Sequence, residues 1–252
     1  MKRWLALLPI AVLAALGIFL MTQMDRMAGD PAAGPTYRPD ALVGQPIPET
    51  TVLPILVDGK AGSRMPSPKG SFAGAEVYSY VWPTSLDAGS VGFEAGSGIL
   101  ALALTSHPDF DDTPQLDENA DGKKDNDGGL WHSHWVVLTK DATCGPSGLK
   151  VRDIPEGAKP KLPPTWPGAP IYIDSPGYDL SVKDDAAQIR VPLKAVGFPE
   201  TFNYDGVTAA LQVNADLHDP LLCVSSVWDV ASGDLSLPAL AIVLGISMWL
   251  QQ

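Results

Sequence analysis

The chain has 252 residues, enough for one sizeable domain with appendages. Its formal net charge at pH 7 is −12, from 29 acidic and 17 basic residues. This excess of negative charge argues against nucleic acid and anionic lipid surfaces as partners and favours cations.

Residues 1–24 have the pattern of a signal anchor. Lys2 and Arg3 precede an uninterrupted apolar run, Trp4 to Met21, which is about long enough to cross a bilayer. The positive residues indicate that this end stays in the cytoplasm. We therefore predict an uncleaved transmembrane helix that crosses the bacterial inner membrane once and leaves the folded body in the periplasm. The small residues of Asp30 to Gly34 (DPAAG) leave cleavage and export as the alternative.

Residues 25–72 are rich in Pro, Gly, Ala and Ser with scattered charges, as in AGDPAAGPTYRPD and GKAGSRMPSPKGS. A stretch of this composition cannot bury much apolar surface. We therefore predict an extended linker between the anchor and the folded body.

The N-terminal layout also resembles a known family. The segment MKRWLALLPIAVLAALGIFL is followed by a short polar spacer and then by DALVGQPIPETTVLP. This order is similar to the N-terminus of the membrane-anchored thioredoxin-like proteins of cytochrome c maturation, the DsbE or CcmG type. The resemblance covers residues 1 to about 55 and stops there, because no Trp-Cys-x-x-Cys motif follows. It implies an inner-membrane anchor with a periplasmic body, and an accessory role in cytochrome c maturation without thiol exchange.

The folded body, predicted at residues 73–236, has an all-β pattern. Short apolar or alternating runs are separated by clusters of Pro, Gly and Asp. The predicted strands are 75–82, 98–105, 134–139, 171–174, 188–193, 208–217 and 221–230. In the run 188–193, Pro192 indicates an edge strand. So many short strands predict an antiparallel β-sandwich or barrel behind the N-terminal transmembrane helix.

Cys144 and Cys223 are the only cysteines. Disulfides persist in the periplasm, so we predict one structural bridge between them. A redox role is disfavoured because the chain has no Cys-x-x-Cys pair.

The C-terminal tail, residues 237–252, is apolar from Ala239 to Leu250 except for Gly245 and Ser247. It is too short to span a bilayer comfortably. The tail is interpreted as a last core helix or strand, with an interfacial or partly inserted segment as the alternative.

An acidic, glycine-rich run, DENADGKKDNDGG, resembles a short calcium loop. Its candidate oxygen ligands are Asp117, Asn119, Asp121, Asp125 and Asp127. Hard cations bind several oxygens on a tightly turning backbone, and Gly122 permits the sharp turn. The EF-hand pattern fails because Gly128 stands where that motif has Glu, which makes Asp127 the replacement ligand. We predict a calcium site here, with a solvated, turn-rich loop as the alternative.

The four histidines suggest a second, softer metal site. On a strand, His132 and His134 point to the same face, which is how a sheet offers two imidazoles to one ion. His107 and His218 each follow the end of a predicted strand. If these ends converge, three or four imidazoles surround a Zn or Cu ion. The alternative is a histidine pair that bonds to loop carboxylates at the sheet edge.

Sequence motifs for nucleophilic catalysis are absent: there is no Gly-x-Ser-x-Gly, phosphate-binding loop or His-Glu-x-x-His. The leading interpretation is a membrane-anchored periplasmic domain that binds calcium, with Zn or Cu as a second ion, without catalysis. The alternative is a metal-dependent hydrolase in which the ion activates water and Asp109, Asp111 or Asp112 acts as the base.

Overall fold

The computed structural model describes residues 50–111, 117, 121–197, 199, 201–215 and 220–242, together with the backbone of a strand at Pro35–Thr36. The predicted anchor and most of the segment that carries the family resemblance lie outside the described residues. So do residues 243–252 of the tail. Within the described ranges, no helix is both long and apolar enough to span a membrane.

The described residues form fifteen strands and three short 3-10 helices. The strands are β1 (Pro35–Thr36), β2 (Thr50–Val57), β3 (Lys69–Gly70), β4 (Glu76–Pro83), β5 (Ile99–Ser106), β6 (Asp109–Phe110), β7 (His132–Lys140), β8 (Leu149–Val151), β9 (Ile173–Asp174), β10 (Leu180–Lys183), β11 (Ala186–Pro192), β12 (Thr201–Tyr204), β13 (Val207–Val213), β14 (Leu222–Val230) and β15 (Ala239–Ile242). The 3-10 helices are Ala88–Val91, Gly145–Ser147 and Leu193–Val196.

Six strands close into an antiparallel barrel. Their order is β5–β4–β13–β14–β8–β7, and β7 pairs in turn with β5. Each of the seven predicted strands coincides with an observed one to within a few residues. The prediction of a mostly β fold is therefore confirmed, and of the two predicted architectures the structure is the barrel.

A second sheet covers part of the barrel's outer surface. Its order is β1–β2–β11–β10. Alternate residues of β2 and β11, among them Leu53 and Ile189, are fully buried in one cluster with outward-facing residues of the barrel strands. Side chains alternate along each barrel strand, so one face of the strand packs in this outer core and the other faces the barrel interior.

The edge prediction for Pro192 is wrong. β11 lies between β2 and β10, so it is a central strand of its sheet. Pro192 is its last residue and lies beyond Ile189, the last residue that β10 pairs with. Its missing N–H therefore removes no bond to β10.

The folded body is wider than predicted. β2 lies inside the predicted linker 25–72, yet its Leu53 is fully buried in the outer core. β15 lies inside the predicted tail and pairs with β12. The body therefore extends at least from Thr50 to Ile242, and the part of the tail at 239–242 is a strand.

The barrel has a weak seam between β14 and β8. These two strands pair only at Cys223 and Lys150. The seam is held instead by covalent and side-chain contacts: the sulfurs of Cys144 and Cys223 are bonded at 2.06 Å, and Ser147 Oγ donates to the carbonyl of Val224. The backbone N–H of Leu221 donates to an Asp153 carboxylate oxygen at 3.0 Å. The predicted disulfide is therefore present, and it closes the barrel where the hydrogen-bond ladder is shortest.

Candidate metal centre

Three of the four histidines meet at one end of the barrel. His132 begins β7 and is paired with Thr105 of β5, while His107 follows the end of β5. His107, His132 and His134 are 6%, 1% and 2% exposed, and one ring nitrogen from each lies within 4.8 Å of those of the other two. His218 lies outside the described residues.

Strand alternation explains why the imidazoles share one space. His134 is two residues after His132 and so points to the same face of β7, into the barrel. Trp135 points the other way and is fully buried in the outer core, as the alternating pattern predicts.

A close backbone approach positions His107. The N–H of Gly129 donates to the carbonyl of His107 at 2.8 Å. A Cβ at Gly128 would lie 2.0 Å from the carbonyl oxygen of Pro68 and 2.8 Å from the nitrogen of Asp109. Only glycine allows the segment before β7 to approach the backbone of Pro68 and Asp109 so closely.

Hydrogen bonds set the tautomers of two histidines. His107 Nδ1 lies 2.9 Å from the carbonyl oxygen of Pro108. His134 Nδ1 lies 3.2 Å from the carbonyl oxygen of Asp174 and 3.1 Å from the hydroxyl of Ser175. A carbonyl can only accept, so both Nδ1 atoms carry the proton in the neutral rings and the lone pairs lie on Nε2. Metal-binding histidines are oriented in the same way.

One contact in the cluster is between like atoms. His132 Nε2 lies 3.0 Å from His107 Nε2. Two lone pairs facing each other at this distance repel, so the contact requires a proton or a metal ion to bridge them. Two nitrogens bound to one tetrahedral Zn²⁺ at the usual bond length lie about 3.3 Å apart. The distance between His132 and His107 is close to that value, and the ligand nitrogens of all three histidines lie within 4.8 Å of one another.

Burial keeps the central imidazole neutral. Desolvation, followed by the neighbouring His134 and His107, lowers the pKa of His132 well below its ordinary value, and a backbone hydrogen bond with Leu130 opposes the shift. A neutral imidazole is the form that binds a metal ion.

The segment around β9 holds His134 in place. Thr165 Oγ1 donates to a carboxylate oxygen of Asp174 at 2.6 Å, and the carbonyl of the same Asp174 accepts from His134. Burial raises the pKa of the Asp174 carboxyl, although the Thr165 hydrogen bond opposes this. These contacts orient the His134 ring through its outer nitrogen.

In the loop predicted to bind calcium, the carboxylates of Asp117 and Asp121 accept hydrogen bonds from the loop's own backbone. The Asp117 carboxylate accepts from the N–H of Asp121 at 3.0 Å and of Gly122 at 2.9 Å. Asp125 is exposed and Asp127 is buried. Asn119 lies outside the described residues, and among the described acidic residues of the loop no metal-binding cluster is found. The calcium site stays a prediction.

A cavity of about 510 Å³ occupies the barrel interior. Its walls are mainly Val, Leu, Ile, Pro and Ala side chains, and His107, His134, Thr105 and Asp109 also line it. Ala103 and Ala209 face it, so part of the space results from small inward-facing side chains. The cavity was not predicted from the sequence, although the alanines that alternate along β5, Ala101 and Ala103, were the available signal.

Comparison of the chain with protein-family models, with curated proteins and with solved structures found no match.

Proposed function

We propose that this protein binds one transition-metal ion, Zn²⁺ or Cu²⁺, through His107, His132 and His134. The observation that carries the proposal is the convergence of three buried imidazoles, two of which turn their outer nitrogens to backbone carbonyls. Neutral nitrogen ligands suit Zn and Cu, whereas calcium and magnesium prefer oxygen.

The site belongs, in this proposal, to a periplasmic domain held to the bacterial inner membrane. The support is the apolar run from Trp4 to Met21 behind Lys2 and Arg3. The Cys144–Cys223 bridge agrees with an oxidising compartment.

Elemental analysis tests the metal proposal. The full chain is exported to a periplasm and purified without a histidine tag or chelator. We expect near-stoichiometric Zn or Cu, and its loss in a His132→Ala, His134→Ala double variant. Val137→Ala is the matched control, because it truncates a fully buried side chain of the same strand on the opposite face and should keep the metal.

Two results would count against the proposal. One is a wild-type chain that carries neither Zn nor Cu and whose thermal stability does not rise when either is added. The other is equal metal loss in Val137→Ala and in the histidine variant. Calcium alone in the purified chain would favour the Asp117–Asp127 loop over the histidines.

A metal-dependent hydrolase is the second candidate function. The favouring observation is that Asp109 lines the same cavity as His107 and His134, so that a base, a metal and a substrate could share one space. Catalytic zinc sites keep three protein ligands and one open position. Zinc-dependent hydrolysis of 4-nitrophenyl decanoate that Asp109→Asn abolishes without removing the metal would support it, and no hydrolysis by the zinc-loaded chain would exclude this substrate class.

A further inference from the structure

The barrel interior combines three features of a ligand site. It is concave, it is mainly apolar, and its few polar groups include two histidines of the candidate metal centre. Binding sites for small molecules have this composition, with an apolar wall for affinity and a few polar groups for orientation. Buried water is a poor occupant for such a space because it needs polar partners.

The size of the cavity limits the ligand. A cavity of about 150 Å³ holds one benzene ring, so a volume of about 510 Å³ accommodates at most about 20 non-hydrogen atoms. Single-chain lipids and similar elongated molecules can be as small as this limit requires.

The polar residues decide the head group. His107 and His134 line the cavity, so an ion bound to them lies beside it. Asp109, a buried carboxylate, also lines the cavity. An uncharged hydroxyl can bind a metal ion through its oxygen and donate its proton to a carboxylate.

An exposed edge of the cavity supplies an entrance. Val227 and Leu235 line it and are 43% and 45% exposed. Leu235 has a φ of 59°, a left-handed conformation that is unfavourable for a leucine. The Ser232 hydroxyl oxygen accepts from the N–H groups of Asp234 and Ser236 on either side of this leucine, and the hydroxyl donates to the buried Asp205. The fold thus holds Leu235, an apolar residue at the opening, in a strained backbone conformation. Strained residues of this kind are common at ligand clamps.

From these observations we infer that the barrel binds an elongated apolar molecule with one terminal hydroxyl, the chemistry of a long-chain alcohol. The chain lies in the apolar lumen and the oxygen coordinates the metal ion. This inference rests on the proposed function, because the histidines must hold the metal.

The test uses decan-1-ol and the full chain loaded with Co²⁺, whose visible spectrum reports its ligands. The protein is held in nanodiscs, because detergent could itself enter an apolar lumen. Adding decan-1-ol should change the Co²⁺ spectrum in a saturable way. Decane, which has no oxygen head group, should leave the spectrum unchanged.

Two phenylalanine variants on one strand separate the lumen from the surface. Ala209 faces the cavity, whereas Gln212 faces outward and is exposed. Ala209→Phe should weaken decan-1-ol binding at least tenfold while Co²⁺ stays bound, and Gln212→Phe should not change it. Ala209→Leu provides a milder filling of the same space if the phenylalanine variant fails to fold, as judged by thermal unfolding.

Several results overturn the inference. If Co²⁺ binds but its spectrum does not change when decan-1-ol is added, the ligand proposal alone is wrong. If Co²⁺ does not bind, both the metal site and the coordinated ligand are wrong. Equal binding by the two phenylalanine variants would place the alcohol in lipid or on the surface. Decanoate that binds at least as tightly as decan-1-ol would overturn the hydroxyl head group. Binding that appears only after removal of residues 243–252 would mean that the chain's own tail is the occupant.

Discussion

The two faces of the barrel wall differ in what they bury. The outward face of β5 and β7 carries large apolar side chains, including Leu102 and Trp135, fully buried against the second sheet. The inward face of the same strands carries Ala103 and the histidines, next to a cavity of about 510 Å³. Close packing stabilises proteins most where no space is left. The comparison indicates that these strands provide stability through one face and binding through the other.

The largest effect is expected at the seam that closes the lumen. Cys144 and Cys223 are 79 residues apart in sequence, and removing a bridge over such a loop costs about 4 kcal/mol in the chain-entropy model. Replacing both cysteines by alanine should therefore lower the free energy of unfolding and the metal content together. Urea unfolding and elemental analysis measure the two. Unchanged metal content in a destabilised variant would show that the histidine end is independent of the seam.

Matched leucine truncations compare the two faces directly. Leu102→Ala removes a fully buried side chain from the outer core and should cost about 4 kcal/mol. Leu211→Ala removes the same atoms from a wall that already borders the cavity and should cost about 2 kcal/mol. Urea unfolding gives both values. Equal costs would mean that the two faces are equally well packed, contrary to the comparison.

Two glycine substitutions test how the histidine end is assembled. Gly128→Ala would place a Cβ 2.0 Å from the Pro68 carbonyl oxygen, and should cost about 3 kcal/mol and reduce metal affinity. Gly122→Ala, earlier in the same loop, meets nothing within 4 Å and should cost about 1 kcal/mol for its positive φ. Metal titration and thermal unfolding separate the two effects. Retained affinity in Gly128→Ala would show that His107 does not depend on this contact.

The smallest effect expected is a pH dependence of the metal-free protein. The unfolded chain protonates His132 near its ordinary pKa, about 6.5, whereas the folded chain resists because burial lowers the pKa. The unfolded state therefore binds more protons below that pH, so stability is fully present above it and is lost as the pH falls. The slope from this group is at most about 1.4 kcal/mol per pH unit.

Urea unfolding between about pH 7.5 and about pH 5.5 measures this slope, which covers the range around the ordinary histidine pKa. His132→Phe keeps a ring of similar size and removes the titration, so its profile should be flatter. Parallel profiles for the two proteins would contradict a neutral, buried His132.

Local sequence patterns were sufficient to predict most of the barrel strands. Ile99–Ser106 and His132–Lys140 have apolar or β-branched runs bounded by turn residues, and both are strands as predicted. β2 was missed because Pro54 and the surrounding proline-rich composition hid the alternation of Leu53, Ile55 and Val57. Its burial depends on the partner strand β11, about 130 residues later in the chain, which no local pattern reveals.

In the candidate site, too, some features were predictable from the sequence and others depend on the tertiary structure. The His132/His134 spacing already determined that two imidazoles share a face, because side chains alternate along a strand. Only the register of β5 against β7 decided that His107 joins them. The lumen likewise depends on barrel closure, since alanine on an inward face leaves space only when the opposite wall is fixed in place.

The sequence by itself determined the strand-forming segments, the single possible disulfide, the acidic charge and the face on which two histidines lie. These follow from local alternation and from composition, which a chain carries without its partners. Tertiary structure alone decided between sandwich and barrel, brought His107 into the cluster and left a cavity beside it. Those features arise from pairing between distant strands, and their free energy exists only when both partners are in place.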